Sequence, residues 1–162
     1  MGLNKKGSLA MAKIGLVNNL WVLVCDGRKA LLFQNAGDRV YPKLETRETF
    51  QHDVPPTRNL GTDEPGRFFS PADGRRSSAE PTDLHLEEEQ RFLATLARHL
   101  DRYATEHGIK DLVIAAPPRA LGYLRGKLPQ HVRTLIRAEL DKDYVAMPAY
   151  EIEKHLAKAL AE

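Results

Sequence analysis

Residues 110–128 read KDLVIAAPPRALGYLRGKL. Leu112, Val113, Ile114, Ala115 and Ala116 form an unbroken apolar run, too short for a free-standing helix and suited to a strand buried on both faces. Pro117 and Pro118 stop the strand, because proline has no N–H to give to a ladder. Leu121 and Leu124 then recur at helical spacing between Arg119 and Lys127, so the stretch predicts strand, sharp turn and helix. Ligands meet α/β sheets at the carboxyl ends of such strands. Arg119, Arg125 and Lys127 are therefore the first candidate binding residues, and their charge suits a polyanion.

Toward the N-terminus, Trp21 to Cys25 predicts another apolar strand, Asp26-Gly27 a tight hairpin turn, and Ala30 to Gln34 the returning strand. A second turn signal at Asn35 to Asp38 leads into a longer third strand. Val40, Leu44, Thr46 and Phe50 share one side of it, Tyr41, Lys43, Glu45 and Arg47 the other, and Pro42 marks an edge. Residues 1–19 lack periodicity and predict a mobile tail ahead of a single domain at 20–162.

After Pro81 a helix is expected from about Asp83. Glu87, Glu88 and Glu89 fall in its early turns, where the helix dipole favours them, and Leu86, Leu93, Leu96, Leu100 and Tyr103 form its apolar stripe. Gly108 ends it. His131 to Leu140 satisfies both strand and helix spacing; the β-α-β order and its β-branched residues favour a strand. Pro148 opens a last helix with Ile152, Leu156 and Leu160 on its inner face. The expected fold is α/β: a mixed sheet with an antiparallel N-terminal meander and parallel C-terminal strands, covered by helices.

Composition narrows the function. A net charge of +2 over 162 residues is too balanced to announce nucleic-acid binding globally, which leaves only a local basic patch. A single cysteine, Cys25, excludes an intrachain disulfide framework and a thiolate zinc cluster, and suits a reducing cytoplasm. Lys13, Asn18 and Asn19 interrupt the N-terminal apolar run, and Val24 is too large for a lipoprotein cleavage site, so a cytoplasmic protein without a membrane span is expected. The six histidines form no HxxxH or HExxH pair, and no GxSxG turn, Walker sequence or GxGxxG is present. Neither metal, cofactor nor catalytic residue is expected. Asp26 alone resembles a metal-binding carboxylate of ribonuclease H-like nucleases, chemistry that requires several converging carboxylates, and its role as a hairpin turn residue explains it better.

Residues 51–82 hold five prolines and three glycines with few aliphatics, a loop far longer than the usual connection. It carries Arg58, Arg67, Arg75 and Arg76 beside Phe68 and Phe69. That composition suits a phosphate backbone, or a solvated loop whose phenylalanines tuck into the core. Arg67, Gly74, Arg75 and Arg76 join the candidate nucleic-acid-binding residues.

WVLVCDGRKALLF at 21–33, PGRFF at 65–69, EEEQRFLATLARHL at 87–100, LVIAAPPRALGYLR at 112–125, ELDKDYV at 139–145 and EIEKHL at 151–156 together resemble the bacterial host attachment protein family. The resemblance implies a fold like the middle domain of archaeal and eukaryotic class-1 peptide-chain release factors and of Pelota. In those proteins a Gly-Gly-Gln loop precedes the long helix and positions water for peptidyl-tRNA hydrolysis. Here the matching region is Asp73-Gly74-Arg75-Arg76-Ser77-Ser78 and the triplet is missing, so hydrolysis does not carry over. The expectation is a non-enzymatic factor that binds ribosomes or tRNA. The alternatives are a surface or secreted factor engaging a host-cell receptor, as the family's name implies, and a metal-dependent nuclease built on Asp26.

Overall fold

The computed structural model describes residues 15–51 and 81–161. Five strands form one sheet in the order β3-β2-β1-β4-β5: β1 (Trp21–Cys25), β2 (Lys29–Asn35), β3 (Leu44–Gln51), β4 (Leu112–Ala116) and β5 (Ile136–Asp141). β1 pairs antiparallel with β2, and β2 antiparallel with β3. On the other side β1 pairs parallel with β4, and β4 parallel with β5. The expected mixed sheet is present.

Every residue of β1 and β4 is buried, so alternate side chains feed two separate cores. Trp21, Leu23, Leu112 and Ile114 meet the helix α1 (Pro81–His107) through Phe92, Leu93, Leu96 and Leu100, and α2 (Pro118–Lys127) through Ala120, Leu121 and Leu124. Val22, Val24, Val113 and Ala115 meet α4 (Ala149–Ala161) through Ile152, Leu156 and Leu160. The short helix α3 (Gln130–Arg133) adds Val132 to the first core.

Helix ends follow their punctuation. Gly108, at φ +63, takes the left-handed conformation that closes α1, and Ile109 donates its N–H back to the Ala104 carbonyl at 3.0 Å. Pro118 opens α2, where its missing N–H costs nothing, and Pro129 forces Leu128 into an extended conformation at its end.

Three sequence expectations are corrected. The tail does not run to residue 19: Leu16 is buried in the second core, and the buried Asn35 amide donates to the Leu16 and Val17 carbonyls at 2.7 and 3.0 Å. The third strand begins at Leu44, so Val40, Tyr41 and Pro42 lie in the preceding turn. Within it Leu44 and Phe50 face opposite cores, because Leu32 pairs with Glu48 but Phe33 with Thr46, which leaves Arg47 as an inserted residue. The last strand begins at Ile136, after α3 takes up 130–133. Arg137 is inserted there in the same way, sending Ile136 to one core and Ala138 to the other. A period-2 reading cannot anticipate a bulge.

Asn35 also accepts the N–H groups of Gly37 and Lys43 at 2.9 and 2.8 Å, so one side chain satisfies four backbone groups. Each stranded buried group costs roughly 1–3 kcal/mol. Asn35→Ala is expected to lower unfolding stability by about 2–4 kcal/mol in urea titrations, with an unchanged m-value.

Candidate functional site

The carboxyl ends of β1 and β4 converge on one rim of the sheet. Asp26 follows β1 and accepts the N–H groups of Arg28 and Lys29 on Oδ1 at 2.8 and 2.9 Å, which closes the hairpin. Glu89 of α1 leans so closely on this turn that a Cβ on Gly27 would lie 2.6 Å from its Cγ. Arg119, in the first turn of α2, reaches Glu89 Oε1 at 3.1 Å. With the arginine side chain 75% exposed, that pair contributes at most about 1 kcal/mol and can exchange partners.

Two cavities flank α1, one along its N-terminal half and one at its middle. One, of about 260 Å³, lies between α1 and α2 and is lined by Leu86, Glu89, Gln90, Leu93, Ala120 and Tyr123, with Arg119 at its edge. The other, of about 280 Å³, lies between α1 and the end of β3 and is lined by Phe50, Arg91, Phe92, Thr95, Leu96 and His99. Gln51, beside that second cavity, pairs with Lys29, and α1 begins at Pro81. Arg67, Gly74, Arg75 and Arg76 belong to the stretch between them and lie outside the described residues.

The three basic residues of 119–127 do not form one cluster. Arg119 pairs with α1, whereas Arg125 donates from Nε and Nη2 to Glu139 Oε1 of β5 at 2.9 and 2.7 Å. That hydrogen-bonded carboxylate holds the guanidinium even more firmly protonated than usual. Lys127 sits over the Tyr123 ring, its Nζ 5.4 Å from the centroid. Sequence reading missed Glu89 and Glu139 as partners because they are 30 and 14 residues from the arginines they hold.

Cys25 and Asp26 bear on the catalytic alternatives. Burial, aided by the negative charges of Asp26 and Asp143, pushes the Cys25 thiol up to about 12, leaving almost no nucleophilic thiolate at neutral pH. Asp26 spends its carboxylate on the turn. Among the described residues, no three His, Cys, Asp or Glu side chains gather where they could hold a metal ion. Nor is any described helix long and apolar enough to cross a membrane.

A sequence profile for the family described as "Protein required for attachment to host cells" matches residues 21–156. The chain belongs to that family. No curated protein matches it. The match to the host attachment family runs from the start of β1 to Leu156 in α4, and so includes the rim, both cavities and the stretch between Gln51 and Pro81. Leu16 and Leu20 pack onto the matched region from outside it.

The position of Cys25 yields a pH signature. Its folded pKa lies above the ordinary 9.0, so the stability linked to its neutral form is intact below about 9 and is lost as pH rises toward about 12. Alkaline titration of unfolding stability is expected to fall more steeply for the natural protein than for Cys25→Ala. A thiol reagent at neutral pH should modify Cys25 only after denaturation.

Proposed function

We propose that this host attachment family protein is a non-catalytic factor that binds structured RNA of the translation machinery, a ribosome or tRNA, and affects attachment indirectly from the cytoplasm. One observation carries the reading. The arginine-bearing stretch 52–80 follows directly in sequence on Gln51, which pairs with Lys29 at the rim where Arg28 and Arg119 also stand, so its cations and theirs can act on one polyanion. An exposed Arg119–Glu89 pair supports exchange of a carboxylate for a phosphate at little cost. A mixed sheet followed by a long helix after this stretch is compatible with likeness to the release-factor middle domain, without that domain's Gly-Gly-Gln chemistry. Arg125 and Lys127 would play a peripheral part.

Co-sedimentation of the full chain with ribosomes across a salt series tests this. Binding should weaken log-linearly with salt, and Arg75→Glu with Arg76→Glu should lower the salt slope by about 2. Arg119→Glu should weaken binding further, while Lys154→Glu on α4 should leave it unchanged. Absence of association at low salt would discard the RNA reading. The family's description favours a second reading, direct contact with a host receptor. Recovery of the protein from the cell surface or medium, with no ribosome-bound fraction, is the outcome that selects it.

A further inference from the structure

Glu87, Glu88 and Glu89 follow one another in α1, and the last of them has work that the helix dipole does not explain. The helix begins at Pro81, which puts Glu89 in its third turn, beyond the first turn over which the terminal partial charge is felt. Its side chain instead crosses to the rim, where it lies against Gly27 and accepts the Arg119 Nη2–H on Oε1 at 3.1 Å. Asp26 gives its carboxylate to the N–H groups of Arg28 and Lys29 and so closes the hairpin. Of these two carboxylates, Glu89 is the one set against a cation of the rim.

Gly27 seats it there. This glycine does not take a left-handed φ, and the hairpin closes through groups of Asp26, Arg28 and Lys29. Neither its backbone nor the turn's hydrogen bonds call for a missing side chain. Its neighbour does: a Cβ on Gly27 would stand 2.6 Å from Glu89 Cγ, 2.7 Å from Cδ and 3.0 Å from Cβ. Leu93 and Leu96 fix α1 in the first core, so the glutamate side chain, rather than the helix, would have to give way. The absent methyl group thus keeps a carboxylate on the rim that carries Arg28, Lys29 and Arg119.

A carboxylate and a phosphate offer a guanidinium the same pair of acceptor oxygens. A phosphate arriving at Arg119 must therefore displace Glu89 and then bind beside its negative charge, a repulsion that persists after the partners exchange. Glutamine at 89 would keep the shape and an acceptor oxygen while removing that charge.

We propose that Glu89 is a built-in competitor for Arg119, seated by the missing Cβ of Gly27, which restrains the affinity of this rim for phosphate-bearing polyanions. The restraint acts on the rim that the proposed function uses, and it rests on that polyanion-binding reading.

Isothermal titration calorimetry of the full chain with inorganic tripolyphosphate at low ionic strength tests it, with ribosome co-sedimentation as a second arm. Glu89→Gln should bind tripolyphosphate about threefold to tenfold more tightly than the natural protein. Glu106→Gln removes the same charge near the far end of α1, roughly 25 Å away by helical rise, and should change nothing. Gly27→Ala should also tighten binding, but add nothing in a Glu89→Gln background, because it acts only through the glutamate. Should Gly27→Ala impair folding by circular dichroism, the isosteric Glu89→Gln decides alone. The proposal is overturned if Glu89→Gln binds no more tightly, absence of binding by both proteins included, or if Glu106→Gln gains as much. It is overturned equally if Gly27→Ala still tightens binding once Glu89 is glutamine. If tripolyphosphate behaves as expected while neither the natural protein nor Glu89→Gln associates with ribosomes, the restraint stands and the RNA reading falls.

Discussion

β4 offers five apolar residues and no polar side chain to solvent, so its ladder and both its faces must be taken up by protein. β1 and β5 take the two ladder edges, both parallel. Parallel neighbours require crossovers, and α1 and α2 provide them on one face while α4 covers the other. A fully buried aliphatic side chain contributes about 1.5–3 kcal/mol, and β1 and β4 place such residues in both cores at once. Removing that sandwiching would leave neither core a floor.

Because the buried centre is so uniformly apolar, specificity of arrangement falls to the periphery. Both edge strands carry a bulge, and in each the inserted residue is an arginine: Arg47 in β3 and Arg137 in β5. Bulges twist and interrupt an edge, and the charge they present discourages pairing with another chain. Glu153 of α4 adds to this by accepting the Leu44 N–H at 2.8 Å. The edges of the sheet are thus poor sites for self-association.

Charge around the sheet is distributed by the same topology. Arg119 is held by Glu89 and Arg125 by Glu139, while at the amino ends of β4 and β5 Arg137 is held by Asp111 at 2.6 Å. Each pair joins different elements or their flanks, so the described surface around 119–127 is closer to neutral than its basic residues suggest in isolation. A strong attraction for RNA therefore needs the arginines of 52–80 as well, and our functional proposal rests on the two acting together.

Local sequence determined the strands at Trp21–Cys25 and Leu112–Ala116, the Asp26-Gly27 turn, the long helix and its Gly108 stop, and the Ile152, Leu156 and Leu160 stripe. In each case an apolar period or a punctuating residue acts within one element, and such signals lie within a few residues of their effect. Candidate site residues were legible only as residue types at a strand's carboxyl end. Which carboxylate holds which arginine, the bulges that send Leu44 and Phe50 to opposite cores, and the burial of Leu16 and Leu20 were decided by tertiary structure. Those outcomes depend on contacts between residues far apart in the chain, such as Asn35 with Leu16 and Glu153 with Leu44, which no local pattern encodes.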